Sequence, residues 1–153
     1  MKIGLLSDTH GFLDPRLPRI FHGVEHILHA GDIGPDRLIA QLESIAPVTA
    51  VLGNTDSSAL FRLTETVVLG GRKVLVRHIV SPHALTDELQ MSLARTQPQV
   101  VLFGHTHQPF HEQINGVWFV NPGYAGKPKP GAERSVALLH DDAREMRVEF
   151  IGL

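Results

Sequence analysis

The chain has 153 residues, 42% of them hydrophobic and 20% charged, with a net charge of −2 and no cysteine. That is enough chain for one sizeable core, and the charge excludes a broadly basic nucleic-acid binder. The missing thiols exclude a disulfide scaffold or thiolate metal site and favour a cytoplasmic location, and no apolar run is long enough to cross a bilayer.

In chain order, residues 2–7 (KIGLLS) read as a buried strand cut short by Asp8, which also argues against a signal peptide. Residues 15–26 carry Leu17, Ile20, Phe21 and Val24 at helical spacing, with Pro15 or Pro18 in the first turn. HILHA (26–30) is strand-like, residues 35–45 repeat the helical pattern, and VTAVL (48–52) is a third strand. This opening reads βαβαβ, the pattern of a parallel sheet with crossover helices. Residues 64–69 and 72–77 flank Gly70-Gly71 as a hairpin, residues 83–95 read as a helix, and 99–103 as another buried strand. Asn115-Gly116 joins a second hairpin, 109–114 with 117–120. A Gly- and Pro-rich loop (122–131) leads to two antiparallel strands, 135–139 and 146–151. The expectation is one α/β domain over residues 1–153, with two mixed sheets packed face to face and helices outside.

The strand ends carry the chemistry. They finish in Asp8-Thr9-His10, Gly31-Asp32, Gly53-Asn54, His78, and Gly104-His105-Thr106-His107. Each alone has an ordinary reading as turn chemistry, an N-cap or a satisfied polar residue. Ligands of open α/β sheets bind at the carboxyl ends of strands, and here every end supplies a metal-ligand type. The preceding glycines suit close backbone packing. In an extended segment, positions i and i+2 share a face, so His105 and His107 alone suggest a chelate of one ion.

The pieces SDTHG (7–11), HAGD (29–32), GNTD (53–56), Arg77-His78, GHTH (104–107) and NPG (121–123) stand in the order of a known family. The chain resembles the calcineurin-like metallophosphoesterases, within them the small bacterial and archaeal phosphodiesterase branch. The resemblance implies a four-layer αββα sandwich and a two-metal site. Asp8, His10 and His107 would hold one ion, Asn54, His78 and His105 the other, and Asp32 would bridge them. His105 and His107 would then serve different ions. The implied reaction is hydrolysis of a small phosphoester by a water activated between two divalent ions, with Asp32, Asn54 and His78 as catalytic residues. Nitrogen and oxygen donors suit manganese, iron, nickel or zinc, with manganese favoured.

Three positions depart from the family pattern. Thr55 stands where larger members have a histidine, so the proton donor to the leaving group is open, with His83 a candidate. Ile79 replaces the usual glycine after His78, and Tyr124 follows Asn-Pro-Gly where serine is common. Tyr124, Lys127 and Lys129, with Asn54, are candidate substrate contacts. His29 is a candidate for orienting Asp32. His22 and His26, four apart on the expected first helix, form a weaker metal site, and His111 and His140 have no evident partners. Alternative readings are a phosphomonoesterase and a non-catalytic scaffold such as the retromer subunit of this fold. A structural zinc site is disfavoured, because seven ligands exceed the four such a site uses. Neither membrane nor nucleic-acid partners are expected, and a homo-oligomer is left open.

Overall fold

The structure, a computed structural model, describes residues 1–142 and 144–153. Strands β1 (Lys2–Leu6), β2 (His26–His29) and β3 (Val48–Ala50) alternate with helices α1 (Leu17–Ile20) and α2 (Arg37–Glu43). Then come β4 (Thr64–Leu69), β5 (Arg72–Arg77), α3 (Asp87–Thr96), β6 (Val100–Leu102), β7 (Phe110–Ile114), β8 (Val117–Asn121), β9 (Ser135–Asp141) and β10 (Met146–Gly152). One sheet has the order β10-β9-β1-β2-β3 and the other β4-β5-β6-β8-β7. The pairs β1–β2, β2–β3, β5–β6 and β6–β8 are parallel, and antiparallel strands close the edges.

Side-chain alternation builds the layers. Ile3 and Leu5 of β1, Val74 and Val76 of β5, and Val100 and Leu102 of β6 meet in the core between the sheets. The opposite faces carry helices: Leu6 packs with Leu17, Phe21, Leu38 and Leu42, while Leu75 and Val101 pack with Leu89 and Phe119. Helices outside two facing sheets make the expected αββα sandwich. Gly4 has a specific part in it, since a Cβ there would stand 3.1 Å from the ring of fully buried Phe21. The absence of that carbon lets the ring sit over β1.

Several element boundaries differ from the sequence reading. The first helix is one short turn rather than residues 15–26. Pro15 and Pro18 withhold two N–H groups, and Gly23, at φ 76, turns the chain out of the helix. His26 therefore begins β2, where its Nε2 meets Thr49 Oγ1 at 2.9 Å. His22 and His26 do not share a helix face, and the paired site suggested for them is withdrawn. The third helix begins four residues later than expected, at Asp87. Thr86 caps it, its hydroxyl accepting from Leu89 N–H at 3.3 Å. Both glycine hairpins are present, with Gly70, Gly71, Asn115 and Gly116 all at positive φ.

The buried end of β2 ties the first two strand-end loops together. Gly31 N–H donates to His29 Nδ1 at 3.1 Å, so Nε2–H faces Thr9 Oγ1 at 2.9 Å, and Thr9 O–H donates to Ile33 O at 2.9 Å. His29 thus fixes the backbone around Asp32, and no contact of its ring reaches the Asp32 carboxylate. Among the described residues, no helix is long and apolar enough to cross a membrane.

Burial pushes the His29 imidazole down from 6.5 to about 3, against the opposing pull of Asp56. Between those values the unfolded chain binds a proton that the folded chain refuses, so stability rises with pH across that window. It is fully present above the unfolded value and is lost as pH falls toward the folded one. Urea midpoints of metal-free protein at successive pH values below 7 should show this slope, at most about 1.4 kcal/mol per pH unit from one group. His29→Gln should flatten it, and equal slopes in the two proteins would contradict the assignment.

Candidate metal centre

The loops after β1 and β2 run side by side. Asp8 N–H donates to Gly31 O at 3.0 Å, His10 N–H to Asp32 O at 2.9 Å, and Gly11 N–H to Ile33 O at 2.8 Å. This pairing sets Asp8, His10 and Asp32 on one rim. Across the sheet interface, Gly104 N–H donates to His78 O at 3.0 Å, which joins the ends of β5 and β6. The backbone of this rim is unusual. Of the seven non-glycine residues at positive φ among the described residues, five are candidate ligands: Asp8, His10, Asp32, His105 and His107. Left-handed backbone costs roughly 1–2 kcal/mol per non-glycine residue, so these side chains are held by their surroundings.

The side chains converge on two neighbouring groups. Asp8 Oδ1 lies 3.2 Å from His107 Nε2 and 3.9 Å from both His10 Nε2 and His78 Nε2. Asp32 Oδ2 lies 3.3 Å from His78 Nε2 and 3.7 Å from His10 Nε2. Asn54 Oδ1 lies 3.0 Å from His78 Nε2 and 3.0 Å from His105 Nδ1. The ligand atoms of Asp8, His10 and His107 all lie within 4.8 Å of one another, as do those of Asp8, Asp32 and His78. Both groups could hold a metal ion. Asp8 as well as Asp32 reaches across the two, whereas the sequence reading gave the shared position to Asp32.

His105 and His107 face different partners. Both sit at positive φ, 69° and 61°, so the segment is not extended and the shared-face argument does not apply. His107 turns to Asp8 and His105 to Asn54.

Each carboxylate spends one oxygen on the protein and aims the other at the histidines. Asp8 Oδ2 accepts from Ser7 Oγ–H at 2.7 Å and from His105 N–H at 3.1 Å. Asp8 Oδ1 is buried without a hydrogen-bond partner. Asp32 Oδ1 accepts from Thr55 N–H at 3.0 Å. Burial alone would raise the Asp32 carboxyl, but the bonds from Thr55 and the nearby His78 and His10 outweigh it and hold it below its ordinary value. His78 Nδ1–H donates to Ala30 O at 2.7 Å, leaving Nε2 among carboxylate and amide oxygens. A bound cation satisfies all of this at once: the orphaned oxygen, the aimed second oxygens and the oriented ring nitrogen.

Three glycines make room for this packing. A Cβ on Gly53 would collide with Asp32, one on Gly104 would stand 2.6 Å from Asp8 Oδ2, and one on Gly31 would stand 2.8 Å from His78 Nδ1. Three further residues support the ligands, and their roles were not read from the sequence. Asp56 accepts from Gly53 N–H at 2.8 Å, Ile33 N–H at 3.0 Å and Gly34 N–H at 3.2 Å, clamping two ligand loops together. Asn121 donates to Gly104 O and Thr106 Oγ1, each at 3.0 Å, which fastens the segment between them. Ser7 orients Asp8. Their only sequence signal was membership of the quoted tetrads and triads.

The remaining candidates lie around the rim. The Tyr124 ring stacks on His107, with centroids 4.8 Å apart at 22°, and its hydroxyl donates to Lys127 O at 3.0 Å. Lys129 Nζ stands 4.5 Å from the Tyr124 ring centroid, and the Lys127 side chain is exposed. Arg134 holds this loop, donating to Gly126 O at 2.7 Å and to buried Asp14 at 3.0 Å. Hydrogen bonds from Arg16 above all, with help from Arg134 and against the opposing effect of burial, keep the Asp14 carboxyl well below the usual range. His83 Nε2 is paired with Glu112 at 3.2 Å, an exposed contact separate from the ligand contacts given above. His111 stacks on Trp118 with centroids 4.5 Å apart, and His140 meets Glu149 at 2.8 Å. These two histidines thus have structural partners.

Comparison with known proteins gives the family of the chain. The profile of the calcineurin-like phosphoesterase superfamily domain matches residues 1–144. A probable metallophosphoesterase of Methanothermobacter thermautotrophicus is 33% identical over 166 residues, covering 99% of this chain and 92% of that protein. The phosphodiesterase YfcE of Escherichia coli K12 is 28% identical, covering 93% and 89%. Among solved structures, an archaeal phosphodiesterase superposes with a TM-score of 0.75 at 25% identity, covering 99% and 100%. Vps29 of Entamoeba histolytica in complex with zinc gives 0.77 at 21%, covering 99% of each chain, a likeness of fold. The chain belongs to the calcineurin-like phosphoesterase superfamily.

Proposed function

We propose that this chain, acting as one domain over residues 1–153, is a metal-dependent phosphodiesterase. The observation that carries the reading is Asp8 Oδ1, buried and unpartnered beside three histidine Nε2 atoms. A buried carboxylate oxygen left so carries a desolvation cost that a bound cation would offset. In this reading Asp8, His10 and His107 would hold one divalent ion, and Asn54, His78 and His105 a second, with Asp32 and Asp8 placed near both sets of histidines. The donor set suits manganese, iron, nickel or zinc. Bound there, two such ions would supply Lewis-acid charge to the phosphoryl oxygens and lower the pKa of a water.

The protein's own residues supply order. Ser7 and Thr55 fix the carboxylates, so the second oxygens do not rotate away. Ala30 O fixes the His78 ring. Two divalent charges against two carboxylates leave about +2 at the site, which attracts a phosphate group to a protein of net charge −2. The phosphodiesterase names of two relatives support a diester over a monoester substrate. A scaffold role is favoured only by the likeness to Vps29. It gives no reason to keep a ligating side chain at each of the seven candidate positions.

With manganese, Asp32→Asn or His78→Ala should lower kcat/KM on bis(4-nitrophenyl) phosphate by about 100-fold or more. Near-wild-type turnover in either folded variant would remove the reading. Metal binding should also stabilise the fold, because the unfolded chain has no such site. Manganese at about 100 times its Kd should add about 2.7 kcal/mol to metal-stripped protein, or roughly 5–10 °C in Tm. Asp8→Asn should abolish that rise, and a wild-type Tm indifferent to every divalent ion tested would contradict the site.

A further inference from the structure

We propose that Leu63 and Ile79 form an apolar wall that receives one organic ester group of the substrate. The protein then selects phosphodiesters carrying an aromatic or similarly ring-sized apolar group. This rests on the phosphodiester reading above and extends it to substrate class.

Ile79 is 49% exposed and Leu63 is 64% exposed. Single exposed hydrophobic residues are ordinary, but these two line the same cavity, of about 230 Å³, together with Leu52, Arg77, Asn54 and His78. The last two are candidate ligands, so whatever fills the cavity would be adjacent to the metal centre proposed above. The cavity is smaller than the roughly 300–1,000 Å³ of sites that take a whole ligand. It suits one part of a molecule whose other part is elsewhere. Arg77 in the lining is paired with Glu88, Nη1 to Oε1 at 3.0 Å. Beside the polar Asn54 and His78, the lining that faces an occupant is the hydrocarbon of Leu52, Leu63 and Ile79.

The wall is placed by the same backbone that builds the metal centre. Val51 bridges Arg62, and Leu52 N–H donates to Arg62 O at 2.8 Å, which brings Leu63 beside the strand end carrying Asn54. Around His78 the chain alternates: His78 is buried, Ile79 exposed and Val80 buried. The bond from Gly104 N–H to His78 O holds that alternation, so Ile79 points out at the rim next to the ligand. This also gives a use to the residue that departs from the family pattern.

The test is calorimetric binding of two non-hydrolysable probes, phenylphosphonate and methylphosphonate, to manganese-loaded protein. The wild type should bind the phenyl probe about tenfold or more tightly than the methyl probe, the scale of one apolar group in a fitted pocket. Leu63→Ser and Ile79→Ser should each reduce that ratio, and the double variant should bring it within about twofold of unity. Equal binding of both probes by the wild type, or a ratio that survives the double substitution, overturns the wall and leaves the metal centre standing. Failure of both probes to bind overturns the phosphoester reading and the wall with it. Sedimentation of the same samples should give one unchanged mass, whereas dissociation of a dimer on substitution would assign the patch to a subunit contact and overturn the proposal.

Discussion

A buried carboxylate oxygen without a hydrogen-bond partner, facing three histidine nitrogens, is the constraint around which this site is arranged. Asp8 has no exposed surface, and its Oδ1 has no hydrogen-bond partner. The residue cannot escape, because its other oxygen is held by Ser7 and by the backbone of His105, 97 residues away. Its own backbone is held in the left-handed region and bonded to Gly31 O. Relaxing Asp8 would break contacts to both sheets. The surrounding structure therefore maintains a site that favours a cation, and several neighbouring groups are arranged in the same sense. Asp32 keeps one oxygen aimed inward, and His78 keeps Nε2 inward by donating Nδ1–H to Ala30 O.

The site lies where the two sheets meet, so neither sheet makes it alone. Asp8, Asp32 and Asn54 follow β1, β2 and β3 of one sheet, while His78, His105 and His107 follow β5 and β6 of the other. The core between the sheets, built on Ile3, Leu5, Val76 and Leu102, sets their separation. Close-packed interiors transmit small changes, so packing some distance from the rim determines whether Asp8 and His78 stand within ion-sharing reach. Glycine sets the final approach at Gly31, Gly53 and Gly104, where any side chain would meet a ligand or its support.

Much of this was legible in the sequence, for identifiable reasons. Parallel strands buried on both faces read as apolar runs, and β1 and β6 show them. Each run ends at a residue that cannot belong to a core, so the ligands mark the strand ends. The first helix misled because its apolar spacing is real: Leu17, Phe21 and Val24 do pack on the sheet. They do so mostly from turns, since two prolines and Gly23 prevent a longer helix. The division of His105 from His107 could not come from periodicity, because alternation presumes an extended backbone and both residues are left-handed. Asp56 escaped for another reason. It acts on backbone N–H groups of a distant loop, and such partners leave no pattern in the chain.

The rim obeys a different rule from the ligands. Most of the candidate ligand positions are tied by backbone pairing, a carboxylate bond or a glycine contact, and replacing one disturbs its neighbours. Leu63, Ile79, His83 and Lys127 are partly or fully exposed and make few bonds that the fold requires. A change at these positions alters what the centre meets without altering how it is built. On the proposed reading, metal chemistry and substrate preference would be separable in this fold: the first written into strand ends and the second into exposed side chains beside them. Ile79 shows how close the two can stand. It adjoins a buried ligand in the chain, yet its side chain leaves the core entirely to the alternation of His78 and Val80. A residue so placed can change from one relative to another while the ligand beside it stays fixed.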